Sequence, residues 1–165
     1  MTTFRPQVAG ILIGRFELAD HLYRGKWVHV GQSEWDSVLA SELDRLVVLL
    51  SSQGAHVVIF TFPYVNPPDE QRDGSEYPEN LPSRVDSWNR LLLQVAARYP
   101  DVTTVINLNR ILDPGGSFAS IVDGIEVRYP EDGIHISVGG GEWLQPLVLP
   151  EIARLGLAGT RQRGS

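Results

Sequence analysis

Asp132 and His135 stand three residues apart in the stretch "YPEDGIHISVGGGEWL" (129–144), on a glycine-broken loop directly before a helix-like segment. A carboxylate beside an imidazole orients the ring and stabilises the imidazolium formed when the ring takes a proton. General-base work of that kind contributes roughly 10²–10⁴-fold in rate. The plainer reading of the same residues is a turn at Asp132-Gly133 with His135 capping the next helix, and spacing alone leaves both open. A histidine base normally serves a nucleophile. Ser33 is one candidate, because "VHVGQSEW" (28–35) places G-x-S between an apolar stretch and a helix, as a nucleophile elbow does. Serine at that point is also a common N-cap, and Ser137 is a natural cap for the closing helix. His21, His29 and His56 show no metal-ligand spacing, so no metal site is expected.

Composition limits the chemistry. The 165 residues are 42% hydrophobic and 21% charged, enough apolar material for one domain with its own core. A formal charge of −6 argues against nucleic acid as a partner, because phosphate binding needs a basic footprint. The absence of cysteine removes disulfides and thiolate nucleophiles. The longest apolar runs fall well short of the roughly 20 residues that span a bilayer. "MTTFRPQ" lacks the basic-then-apolar pattern of a signal peptide. A chain that is soluble and cytoplasmic as written is expected.

The elements that must position Asp132 and His135 follow from hydrophobic periodicity. "QVAGILIG" (7–14) is apolar at almost every position, which predicts a strand covered on both faces, as inside parallel sheets. Apolar residues at helical spacing predict a helix over 33–54, capped by Ser33 and ended by Gly54. "HVVIFT" (56–61) is a second buried strand, residues 62–82 a long polar loop, and 83–99 a second helix capped by Ser83. "VTTVIN" (102–107) is a third strand, and Asp123-Gly124 between apolar alternations predicts a hairpin. A final helix is expected from about Val138 to Leu155, kinked by Pro146 and Pro150, with a frayed tail over 157–165.

Alternating strands and helices imply a three-layer α/β/α sandwich with a parallel sheet. In such sheets the ligand crevice lies beyond the carboxyl ends of the strands. Gly14-Arg15-Phe16-Glu17 follows the first strand, the loop from Phe62 follows the second, and the Asp132/His135 loop can reach the same rim.

With those residues in place, the chain resembles the SGNH (GDSL-type) hydrolase family, in which a closing D-x-x-H supplies acid and base to a Ser-His-Asp triad. It is most similar to the SGNH domains attached to bacterial membrane acyltransferases, in the order "GRFE" (14–17), "GKWVHVG" (25–31), "TFPY" (61–64), "PSRVDSWNRLL" (82–92) and "EDGIHISVGGGEWLQPLVLPEIARL" (131–155). The resemblance covers about residues 4–156 and implies one SGNH-like, flavodoxin-like domain over 1–156. It implies His135 as general base, Asp132 as its orienting acid and Gly14 at the oxyanion site. It further implies an acyl ester of a small molecule, carbohydrate or cell-envelope component as substrate, with no cofactor.

Two departures accompany the resemblance. Phe16 and Glu17 replace the Asn and Asp of the family's G-x-N-D block, so the side-chain oxyanion donor is missing unless Arg15 takes its place. Losing such a donor commonly costs about 3–4 kcal/mol of transition-state stabilisation. The alternative reading of "GRFE" is an Arg15–Glu17 pair bracing a strand end. The second departure is larger: no G-D-S occurs, so the family's nucleophile block is absent and the domain is expected to be N-terminally incomplete. Two classes follow, an esterase or O-acyltransferase domain completed by a preceding polypeptide, or a non-catalytic remnant used for binding or scaffolding. An N-terminal partner segment, or a homodimer through residues 7–13, is the expected protein partner. A place on the outer face of a membrane is implied if the chain belongs to a longer acyltransferase.

Overall fold

The computed structural model describes residues 5–163, with side chains through residue 158. Strand β1 (Val8–Ile11) leads through a short helix α1 (Arg15–Leu18) and an antiparallel hairpin, β2 (His21–Tyr23) and β3 (Lys26–Val28), into helix α2 (Ser33–Ser51). Strand β4 (His56–Phe60) follows, then a long loop ending in a 3-10 turn at Pro78–Asn80, helix α3 (Pro82–Ala96) and strand β5 (Thr103–Ile106). The chain closes with helix α4 (Leu108–Leu112), a small hairpin of β6 (Ile121–Val122) and β7 (Ile125–Glu126), and helix α5 (Val138–Arg163).

The three long-range strands form one sheet in the order β1-β4-β5, parallel throughout, with Val8 opposite His56 and Val57 opposite Thr103. β4 is central, and its side chains divide between the two faces because successive strand residues point to opposite sides. Val57 and Ile59 pack with Leu39, Leu43 and Val47 of α2 and with Val85, Trp88 and Leu92 of α3. Val58 packs on the other side with Val148 and Leu155 of α5. The result is a mixed α/β domain whose parallel sheet is flanked by helices on both faces, a three-layer arrangement. Among the described residues, no helix is long and apolar enough to cross a membrane.

Several local expectations are corrected. α2 is capped at Gln32 and not by Ser33, and the Asp36 carboxylate accepts the Gly31 N–H at 2.8 Å, ordering the entry. α3 is capped at Leu81 and not by Ser83, because Pro82 occupies the first helical position with its φ already suited to a helix. The closing helix stays helical across Pro146 and Pro150 and continues to Arg163, beyond the expected end near Leu155. The Asp123-Gly124 hairpin forms, with both residues at positive φ (52° and 78°) as a tight two-residue turn requires.

Candidate functional site

Asp132 and His135 occupy a narrow loop whose neck and tip are both hydrogen-bonded. At the neck, Arg128 and Ile136 bridge in antiparallel fashion, and Ser137 N–H donates to the Val127 carbonyl at 3.0 Å. Higher up, Tyr129 N–H donates to the His135 carbonyl at 3.1 Å, and Gly133 N–H donates to the Tyr129 carbonyl at 2.9 Å. Beneath the neck, Ser137 caps α5 by accepting the Gly140 N–H at 2.8 Å and donates its own hydroxyl proton to the Glu126 carbonyl. Ser137 is therefore committed to the fold.

The Asp132 carboxylate uses both oxygens. Oδ1 accepts the backbone N–H groups of Ile134 (2.7 Å) and His135 (2.9 Å), and Oδ2 faces His135 Nδ1 at 3.0 Å. An ionised carboxylate only accepts, so the contact assigns the ring proton to Nδ1 and leaves the Nε2 lone pair available. The same N–H groups, Ile134 first and His135 next, hold the Asp132 carboxyl below its ordinary range, and the imidazole adds to this. The His135 side chain is 74% exposed and makes no other side-chain hydrogen bond among the described residues.

The loop is fastened to the carboxyl end of β4. Asn66 N–H donates to the Gly133 carbonyl at 2.9 Å, and Gly133 has φ +64° with its α-carbon against the Asn66 carbonyl. A β-carbon there would overlap the Asn66 backbone, so both the turn and the docking require glycine. The strut carrying Asn66 is itself clamped. Asn89 of α3 exchanges two bonds with the Phe62 backbone, at 2.7 and 2.8 Å, and Tyr64 donates its hydroxyl to Asp86 at 2.6 Å. The Asp86 hydrogen bond, and then burial, push the Tyr64 hydroxyl up to about 12.

Beneath the strut lies an ion pair of two wholly buried side chains. Arg128 Nη2 bonds both oxygens of Asp113 (3.2 and 3.1 Å), and Nη1 bonds the Tyr64 carbonyl at 2.7 Å. Asp113 also accepts Tyr64 N–H at 2.9 Å and Ala119 N–H at 3.0 Å. Burial pushes the Asp113 carboxyl up, opposed by Arg128 and those N–H donors. Sequence reasoning missed this pair, along with Asn89 and the Tyr64–Asp86 bond. Arg128 falls on the polar phase of the alternation in "IEVRY", where an exposed side chain is the ordinary reading, so the sequence carried no signal of its burial.

The other expected residues lie apart from the dyad. Gly14 is the N-cap residue before α1, and the Phe62 side chain fills the space that a β-carbon would need. Arg15 donates to Asn80 at 3.4 Å, and no ion pair joins it to Glu17 among the described residues, so the Arg15–Glu17 brace is absent. Glu17 lines an apolar hollow of about 290 Å³ together with Ile13, Phe16, Trp35 and Leu43. Ser33 begins α2, where its carbonyl accepts the Ser37 hydroxyl at 2.8 Å, and it makes no hydrogen bond to His135. The strut after β4 touches both ends of the rim, packing Phe62 on Gly14 and Asn66 on Gly133.

The arrangement defines a carboxylate–imidazole dyad at the carboxyl rim of a parallel α/β sheet. No protein-family model and no curated protein matches the chain.

Proposed function

We propose that His135 and Asp132 are the base and orienting acid of an SGNH-type centre that hydrolyses acyl esters or transfers their acyl group. The observation that carries this reading is the Asp132 Oδ2–His135 Nδ1 contact at 3.0 Å, with Oδ1 tethered by two backbone N–H groups. Such tethering fixes the tautomer in which Nε2 is the free base. The nucleophilic serine is presented by a polypeptide segment outside the described residues, since no serine among them bonds the imidazole. Nε2 takes the hydroxyl proton as the serine oxygen attacks the acyl carbon, and the imidazolium returns that proton to the departing alcohol. A water, or an acceptor alcohol, then attacks the acyl-serine by the same route and releases the acid or the new ester. The substrate class is an acyl ester of a small molecule, carbohydrate or cell-envelope component, in keeping with the resemblance to membrane-attached acyltransferase domains.

The second reading is an SGNH-like fold that binds or scaffolds without catalysis. It is favoured by the "GRFE" rim, where Arg15 is engaged with Asn80 and Phe16 stands 83% exposed in place of a polar donor. One experiment separates the two. The chain is joined to the polypeptide encoded immediately before it, and hydrolysis of p-nitrophenyl acetate is compared with that of the isolated chain. The catalytic reading expects hydrolysis only in the joined protein, lowered about 10²–10⁴-fold by His135→Ala. A joined protein with no His135-dependent hydrolysis selects the binding reading. Fluorophosphonate labelling of Ser33 or Ser137 in the isolated chain would overturn the external serine.

A further inference from the structure

We propose that Arg128, through its buried pairing with Asp113, is a positioning residue that sets the geometry of the Asp132–His135 dyad. The proposal rests on reading His135 as the functional base, and it concerns what holds that base in place. Arg128 lies at the neck of the dyad loop, bridged to Ile136, one residue before Tyr129 and one residue beyond His135 on the returning side. Its guanidinium fixes the neck from below, with Nη2 shared between the two oxygens of Asp113. The same group holds the Tyr64 carbonyl, while Asp113 holds the Tyr64 N–H, so one ion pair grips both sides of a single residue of the strut. Two residues further on, Asn66 supports the loop tip through Gly133. Neck and tip are thereby referred to one rigid group.

The energetics favour placement over stabilisation as the role of this pair. A buried ion pair gains little over a well-packed apolar replacement, because two charges have left water. Here the balance is poorer still: Arg128 Nε is buried and has no hydrogen-bond partner among the described residues. What the planar fork supplies is a fixed distance and angle between three chain segments, which an apolar contact or a flexible ammonium does not. The guanidinium also rests over the Phe118 ring at 5.2 Å, which restricts its rotation.

The test reads the imidazole directly in the isolated chain, by nitrogen-15 NMR of His135 at neutral and mildly alkaline pH. The wild-type protein is expected to hold the Nδ1–H tautomer in about tenfold or greater excess, as a hydrogen bond to a charged acceptor implies. Arg128→Lys keeps the charge and loses the fork. The double variant Arg128→Met with Asp113→Leu leaves no buried charge unpaired and is the variant expected to remain folded. Both are expected to lose most of the tautomer excess while far-UV circular dichroism and the methyl spectrum of the core stay native. A natively folded double variant with the wild-type tautomer signature overturns the proposal. So does a double variant in which the signature falls only in step with global unfolding. Neither outcome touches the catalytic reading, which depends on hydrolysis by the joined protein; failure of that reading leaves the coupling of Arg128 to His135 intact.

Discussion

Asp132 carries three hydrogen bonds on two oxygens, and two of them are to backbone N–H groups of its own loop. Its carboxylate therefore builds the turn first and orients the imidazole second, an economy available only to a short acceptor-only side chain followed by a residue at positive φ. Asp132→Asn keeps the shape and one oxygen for the two amides, but replaces the oxygen facing His135 Nδ1 with an NH2 donor. We expect that variant to leave the fold and the two amide hydrogen bonds intact and to abolish the Nδ1–H preference of the ring, because an NH2 donor now faces Nδ1. A ring that keeps its Nδ1–H tautomer by nitrogen-15 NMR in that variant would refute the assignment. The pH dependence has a definite sign. Because the folded-state carboxyl sits below its ordinary range, the order it confers is present above about pH 4 and is lost as pH falls through the lowered value. Protection of the Ile134 and His135 amides, corrected for intrinsic exchange, should collapse on that acid limb in the wild type. In Asp132→Asn no such limb is expected.

At the scale of elements, the site is a matter of what the loop after β4 is tied to. Residues 61–66 bond α3 through Asn89 and Asp86, the buried ion pair through Tyr64, and the dyad loop through Asn66. Tyr64→Phe removes the hydroxyl that faces the Asp86 carboxylate and is expected to lower unfolding free energy by about 1.5–3 kcal/mol, as a hydrogen bond to a charged group implies. The Tyr64 hydroxyl is raised in the folded state, so its contribution is whole below about pH 10 and disappears as pH climbs through about 12. Urea titrations at pH 8 and pH 11 check both points: the variant should be weaker at pH 8, and the gap should narrow at pH 11. A gap that stays constant would assign the loss to packing alone. This layer of structure was only partly legible in the sequence. β4 and α3 were readable because burial on both faces, or on one stripe, forces an apolar pattern on consecutive residues. Asp132 and His135 were readable because their partnership is local. Arg128 and Asp113 are 15 positions apart, and Asp113 in "LDPGG" looks like ordinary turn chemistry. Nothing in either neighbourhood signals the other. The caps at Gln32 and Leu81 escaped for a related reason, since neither side chain makes a capping bond for a residue-type rule to detect.

At the scale of the whole molecule, β1 pairs, among the described residues, with β4 alone. Natural edges are shielded by charges, proline, bulges or a covering element, and Val8–Ile11 contains neither charge nor proline. Immediately beyond it Leu12 is 52% exposed, and Ile13 lines the apolar hollow against Phe16 and α2. Full burial of one such aliphatic or aromatic side chain is worth roughly 1.5–3 kcal/mol. An apolar residue of that kind beside a strand at the sheet's edge favours addition of another strand. We therefore expect the isolated chain to self-associate through residues 7–13, unless a preceding segment takes that place and brings the nucleophile with it. Sedimentation velocity at low micromolar concentration should show a dimer or larger species. Leu12→Lys places a charge beside the edge at a position already half open to water, so it should restore a monomer without unfolding the core. Amide exchange across residues 8–12 should be slow in the associated species and fast in the Leu12→Lys monomer. A wild-type monomer with slowly exchanging amides at those positions would mean that the edge is already covered, and the expectation would fail.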